Sequence, residues 1–174
     1  MPLGSFDGYA DSIESAIYLV AREPSPEALA WIDSEIKVMM AMQKPDGHVE
    51  NWYGEGNYNR TALLYALMKS QGARPSHWEA GVRVGAVQEG TRLHLALDMP
   101  APRVIQFDFA RHSRVLNLDK NYVRLNEFPE WFAVAENMLY RLAQGDREEV
   151  RLGSELIQGV VLTRGNWTIE AMRR

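Results

Sequence analysis

The stretch "GVRVGAVQEGTRLHLALD", Gly81 to Asp98, decides the fold, because it is where the period of the apolar residues becomes two. Leu93, Leu95 and Leu97 face one way, while Arg92, His94 and Asp98 face the other. Strict alternation of this kind marks a strand with one face on a core and one in water. "GVRVGAV" and "TRLHLALD" flank a short connection through "QEG", so the stretch reads as a β-hairpin.

Downstream the alternation continues. "RVIQFDF" repeats it with Ile105, Phe107 and Phe109. "HSRVLNL", "EWFAVA", "MLYRLA", "EEVRL" and "NWTIEAM" are further strand candidates, with "GDRE" and "TRGN" as turns.

Upstream the period is helical. In "YADSIESAIYLVAR", Ala10, Ile13, Ile17 and Val20 share one face. In "EPSPEALAWIDSEIKVMMAMQ", Ser25 is placed to cap a helix, Pro26 takes its first position and Glu27 suits its positive end. Leu29, Ile32, Ile36 and Met39 form its expected inner stripe. A third helix is expected over "NRTALLYALMKSQG", with Asn59 as cap, Leu63, Leu64, Leu67 and Met68 inward, and Gly72 and Pro75 as stop signals. Helices first and strands second predict an α+β chain: a helical segment of about three helices over 1–75, then an antiparallel β-sandwich over 76–174. No internal repeat or low-complexity segment interrupts that division.

Composition narrows the function classes. The chain has 174 residues, enough for one domain with a core or two small modules. Hydrophobic residues make up 46% and charged residues 24%, a globular balance. A formal net charge of -4 supplies no basic footprint, so nucleic acid is not an expected partner. No apolar run is long enough to span a bilayer, and no membrane partner is expected. Without Cys there is no disulfide, thiolate metal site or Cys nucleophile. The opening "MPLGSFDGYADS" has neither a charged n-region nor an apolar h-region, so it predicts no secretory signal, and its "PLGS" resembles the scar of a cleaved tag. Serine-hydrolase, nucleotide and dinucleotide motifs are absent, and the sequence implies no cofactor.

The helical wording "DGYADSIESAIYLVAREPSPEALAWIDSEIKVMMAMQKPDG", followed by "GEGNYNRTALLYALMKSQG", resembles the last helical hairpins of an (α/α) toroid. Polysaccharide lyases and glycoside hydrolases of the unsaturated-glucuronyl type share that architecture, and in several a β-sandwich follows it. "LNEFPEWFAV" and "SELIQGVVLTRGNWTIEA" resemble the late strands of such a sandwich. The resemblance implies a carbohydrate-active or carbohydrate-binding protein with an oligosaccharide ligand. A full toroid has many more helices than three. The chain is therefore expected to be a C-terminal piece, or a reduced relative whose exposed apolar stripes drive homo-oligomerisation.

Toroid enzymes build clefts from loops between helices, which directs attention to "QKPDGHVENWYGEGNYNRT", Gln43 to Thr61. Sugars are bound by aromatic faces and by polar side chains that reach the hydroxyls. Asp46, Glu50, Trp52, Glu55, Asn57 and Tyr58 are the candidate substrate-binding residues. A lyase needs a base for the proton next to a uronate carboxylate and a cation to neutralise that carboxylate. His48 or Tyr53 with Arg60 fits those parts, and Asp11 and Glu14 are candidates for a carboxylate pair. Each has a structural reading beside it: "KPDG" and "GEGN" are ordinary turns, and acids in a first helical turn suit the helix dipole. His48, His77, His94 and His112 share no tight metal-ligand spacing, so no metal site is assigned. Two alternatives stand beside the carbohydrate reading: a non-catalytic homodimeric binding or assembly module, and a small hydrolase acting on an unrelated small molecule.

Overall fold

A computed structural model describes residues 6–47, 49, 56–122 and 128–172. These form five helices and eight strands in an α+β arrangement, and they divide into two compact units, one up to Met68 and one from Lys69 onward.

The first unit holds α1 (Phe6–Val20), α2 (Pro26–Ala41) and most of α3 (Gly56–Ser70). Ala10, Ile13 and Ile17 of α1 are fully buried, as are Ile32 and Met39 of α2, while Ile36 is nearly so. The start of α2 is set by Ser25, whose hydroxyl accepts the Ala28 N–H at 3.2 Å, with Pro26 following it.

Several expectations for the helices are corrected. Leu29 is exposed, because it lies in the first turn of α2, ahead of the buried line from Ile32 to Met39. Helix α3 begins at Gly56, so Asn59 lies inside it and caps nothing. Its buried line is Tyr58, Thr61, Leu64 and Met68, which leaves Leu63 facing solvent. Leu64 and Met68 face inward as expected, but the line continues through Thr61 and Tyr58, which a count of aliphatic residues passes over.

The second unit is antiparallel β. β1 (Ala73–Pro75), β4 (Arg103–Phe107) and β7 (Val160–Leu162) form a three-stranded sheet in the order β1-β4-β7. β2 (Arg83–Glu89), β3 (Arg92–Asp98), β5 (Leu139–Gln144), β6 (Arg147–Leu152) and β8 (Gly165–Ala171) form a five-stranded sheet in the order β2-β3-β8-β5-β6. The β2–β3 hairpin turns through Gly90 at φ 60 and Thr91, with Glu89 opposite Arg92. Leu93, Leu95 and Leu97 face inward, as alternation requires. They meet Ile105, Phe107 and Leu162 of the other sheet in one core that also takes Leu142, Trp167 and Ile169. Each buried Leu or Ile side chain contributes about 1.5–3 kcal/mol, so apolar burial is the main force holding the two sheets together.

Between the strands the expected assignments need correcting. "HSRVLNL" is not a strand: a one-turn helix α4 (Arg111–Arg114) occupies its start, and Val115 and Leu116 are exposed. The Arg111 guanidinium bonds back to Asp108, three residues earlier, and closes the chain into that turn. "EWFAVA" forms no ladder and makes a single parallel bridge, Ala133 to Asp108. Phe109 lies beyond the end of β4, with the Arg114 guanidinium over its ring at 4.7 Å. "SELIQ" is helical within α5 (Gly153–Gln158), whose Leu156 is fully buried in the shared core.

Gly72, φ 89, ends the helical run. Its carbonyl accepts the Asp108 N–H at 2.7 Å, and a Cβ there would meet the Phe132 carbonyl oxygen at 2.6 Å. Only glycine satisfies both the left-handed backbone and that close approach.

Candidate functional site

The helical unit gathers polar side chains that are far apart in sequence. Arg60, on the first turns of α3, donates through Nε to Glu14 Oε1 at 2.8 Å and through Nη2 to Asp11 Oδ1 at 3.2 Å. Thr61 donates its hydroxyl to the same Glu14 oxygen at 2.8 Å and lies 2.9 Å from the Asn57 carbonyl. Asp11 and Glu14 are three apart on α1, so both carboxylates lie on one side of that helix. The side chain of Glu14 is 9% exposed and that of Asp11 63%, with Arg60 between them at 36%. The result is a polar seam that runs from water at Asp11 into the helix packing at Glu14.

Two further bridges complete the polar frame. Tyr9 donates its hydroxyl to Glu35 Oε2 at 2.8 Å, and Tyr65 donates to Asp33 Oδ1 at 3.0 Å. Each pair among α1, α2 and α3 is thus tied: α1 to α3 through Arg60, α1 to α2 through Tyr9, and α2 to α3 through Tyr65. Burial, then the Asp33 hydrogen bond and charge, push the Tyr65 hydroxyl up to about 12. The Tyr9 hydroxyl is raised further, by burial first and then by Glu35 and Tyr58. Tyr58 itself is 1% exposed and meets Tyr9 edge-on, ring centroids 6.1 Å apart.

Of the residues singled out by sequence, the structure brings Asp11, Glu14 and Arg60 into one cluster, with Asn57 one turn from Arg60's neighbour Thr61. Asp46 is exposed in a turn closed by the Gly47 N–H on the Lys44 carbonyl at 2.9 Å. Tyr58 is enclosed in the helix packing, where its ring face is covered. His48, Glu50, Trp52, Tyr53 and Glu55 lie outside the described residues. Sequence reasoning misses Tyr9, Thr61 and Tyr65. Their one sequence-level signal is a polar atom on a residue that falls on an otherwise apolar helix face.

The engagement of Arg60 has a chemical consequence. A cation that neutralises a substrate carboxylate must have unmet charge to offer. Arg60 already faces two carboxylates, so its geometry suits orienting those acids and hydrogen-bonding a neutral hydroxyl better than clamping a uronate.

The β unit carries its own polar cluster. Asp108 holds Arg111 bidentately at 3.0 and 2.9 Å, and Arg111 also reaches the Phe128 carbonyl at 2.9 Å. Glu130 accepts the His112 backbone N–H at 2.7 Å and lies 2.8 Å from its Nδ1. A separate cleft of about 830 Å³ is lined by Thr91, Ser113, Arg114, Glu136, Met138 and Met172, with Arg114 paired to Glu136 at 2.6 Å across it. His94 faces outward on β3, 3.5 Å from Glu89. Among the described residues no group of three His, Asp or Glu converges as a metal site, and no helix is long and apolar enough to cross a membrane.

Compared with protein-family models, curated proteins and solved structures, the chain matches none.

Proposed function

We propose that the protein is carbohydrate-active or carbohydrate-binding, related in design to the polysaccharide lyases and glycoside hydrolases, with its ligand surface on the helical unit. The observation that carries this reading is the seam of Asp11, Arg60 and Glu14 at the head of α3, where the polar Gln43–Thr61 segment ends. Carboxylate and guanidinium groups held in fixed geometry, partly open to water, are the hydrogen-bonding equipment that sugar hydroxyls require. Trp52 and Tyr53 of the adjoining segment supply aromatic faces for sugar C–H surfaces.

Titration of the chain with a panel of acidic, neutral and amino oligosaccharides, followed by tryptophan fluorescence and calorimetry, tests the reading. Saturable binding that weakens at least about tenfold on Trp52→Ala or Arg60→Met supports it, since one lost anchor is worth about 1.4 kcal/mol or more. A panel without saturable binding refutes it.

A second reading, a homodimeric assembly module, is favoured by one observation. Trp31, Val38 and Met42 fall at i, i+7 and i+11 along α2 and its C-cap and are 40%, 51% and 39% exposed, which leaves an apolar stripe in water. A monodisperse monomer by light scattering at micromolar concentration refutes it.

A further inference from the structure

The edge strands of the two sheets, β1, β7, β2 and β6, are not finished alike. β1 and β7 are three residues long, and β1 ends in Pro75, which has no N–H to offer. On β2 the Gln88 N–H is taken by Gln71 Oε1 at 2.6 Å. β6 is six residues long, and among the described residues no strand lies beyond it. Gly145, φ 58, and Asp146 make the two-residue turn from β5, with Gln144 opposite Arg147. In such a hairpin the pair flanking the turn exchanges backbone bonds, and every second pair after it does the same. Arg147, Glu149 and Arg151 therefore turn their peptide groups to β5, while Glu148, Val150 and Leu152 turn theirs to the open edge. The bonds at the end of the strand keep that alternation. Leu152 donates to Glu155 of α5 at 2.7 Å rather than to β5, and Gly153 donates to the Met138 carbonyl ahead of β5 at 2.8 Å.

From this edge we infer that β6 pairs antiparallel with β6 of a second copy of the chain, about a two-fold axis through Val150, so that one sheet continues across two protomers. The inference does not rest on the carbohydrate reading, and it uses a different element from the α2 stripe. Outward residues must face outward residues for the backbone bonds to form, so the axis passes through a residue and not between two. With the axis on Val150, the two copies of that residue exchange N–H to carbonyl bonds, and their exposed side chains cover each other. Glu149 of each copy then stands opposite the partner's Arg151. Within one chain those two side chains already pair at 2.7 Å, two residues apart on the same face of the strand.

Charge selects this register. Charged residues on the core side of an edge strand ordinarily hinder pairing. An axis through Glu148 sets that carboxylate against its own copy. An axis through Glu149 does the same and adds Arg147 against Arg151, and an axis through Arg151 opposes two guanidinium groups. On Val150 the like charges stand apart, and Glu149 and Arg151 of both copies form a ring of alternating sign. The two-fold uses each copy's edge once, so the assembly closes at two copies.

Sedimentation velocity on the full chain from about 1 to about 200 µM tests the pairing. The expected result is a monomer–dimer equilibrium in that range, with no larger species. Glu149→Arg and Arg151→Glu are each expected to weaken the dimer at least about tenfold, because each sets like charges opposite one another. Mixed in equal amounts, the two variants are expected to form a heterodimer, since every opposed pair is then of unlike sign. A role for these residues within the chain alone predicts no such rescue, because neither variant regains its internal ion pair. Val150→Pro removes the N–H at the axis, on an edge where Pro is tolerated, and is expected to stay monomeric with the ellipticity of the parent. A parent chain that is monomeric at about 200 µM, or charge variants that do not recover on mixing, overturns the inference. So does a dimer that is indifferent to the β6 variants and is lost instead on Val38→Glu, which belongs to the α2 stripe.

Discussion

Removal of the Glu14 carboxylate is the sharpest perturbation of the helical unit. In Glu14→Ala, Arg60 loses the acceptor of its Nε–H and keeps Asp11, while Thr61 falls back on the Asn57 carbonyl. A hydrogen bond to a charged group contributes about 1.5–3 kcal/mol, and the half-open position of Arg60 puts this one toward the lower end. The Thr61 bond adds about 0.5–1 kcal/mol, because its hydroxyl retains a second acceptor. The expected loss is therefore about 2–3 kcal/mol, short of the roughly 3–5 kcal/mol for stranding a fully buried charge. Asp11→Ala provides the control. Its side chain is 63% exposed and sits 3.2 Å from Arg60, so its removal should cost about 0.5 kcal/mol or less.

Urea denaturation followed by ellipticity at 222 nm reads both variants, with intrinsic fluorescence recorded in parallel because the two units need not unfold together. A double-mutant cycle of Glu14→Gln with Arg60→Met should return a coupling of about 1–2 kcal/mol, and the same cycle with Asp11→Asn a coupling within about 0.5 kcal/mol of zero. The reasoning is refuted if Glu14→Ala stays within about 0.5 kcal/mol of the parent, or if Asp11→Ala is the more damaging of the two.

The tyrosine bridges predict an alkaline limit. With folded-state values raised above the ordinary 10.0, Tyr9 and Tyr65 contribute stability that is complete below about pH 10 and is lost as the pH climbs through about 12 for Tyr65 and higher still for Tyr9. Tyr9→Phe with Tyr65→Phe should flatten that limb, as checked by helix ellipticity against pH. On the five-stranded sheet, hydrogen bonds from Arg141 and then Arg92 hold Glu170 below the usual carboxylate range. The stability it lends is present above that range and lost as the pH falls through the lowered value, so Glu170→Gln should blunt the acid limb of β-unit unfolding. Gly153→Ala should destabilise the β unit by about 3 kcal/mol or more in denaturant titration, since the new Cβ would overlap the Ala135 carbonyl. A change below about 1 kcal/mol would mean that the segment before β5 yields easily.

Legibility from sequence follows the chemistry of each element. The β2–β3 hairpin is plain, because each inward position of β3 is an aliphatic residue and each outward one is polar or small from Arg92 to Asp98. Ser25 and Pro26 announce the start of α2 by local hydrogen bonding alone. The inner face of α3 is obscured by Thr61, a polar residue buried only because Glu14, 47 positions away, accepts its proton. The turn after β4 is obscured for a similar reason. "HSRVLNL" has strand composition, yet Asp108 and Glu130 hold Arg111 and His112 by side-chain bonds that no periodicity registers. Asp11, Glu14 and Arg60 can each be named from sequence, but their meeting depends on helix packing.

The same contrast separates the two units physically. The β unit has an aliphatic and aromatic core in which sheet pairing and burial reinforce each other, and most of its ion pairs lie at the surface. The helical unit has short buried lines and fixes its helices with polar bridges, each involving an Asp or Glu. Carboxylates committed to such bridges cannot be exchanged for apolar residues one at a time without stranding a partner. Glu14, Asp33 and Glu35 are therefore built into the way the helices of that unit are held, and any ligand on its surface must be compatible with the field those structural acids create.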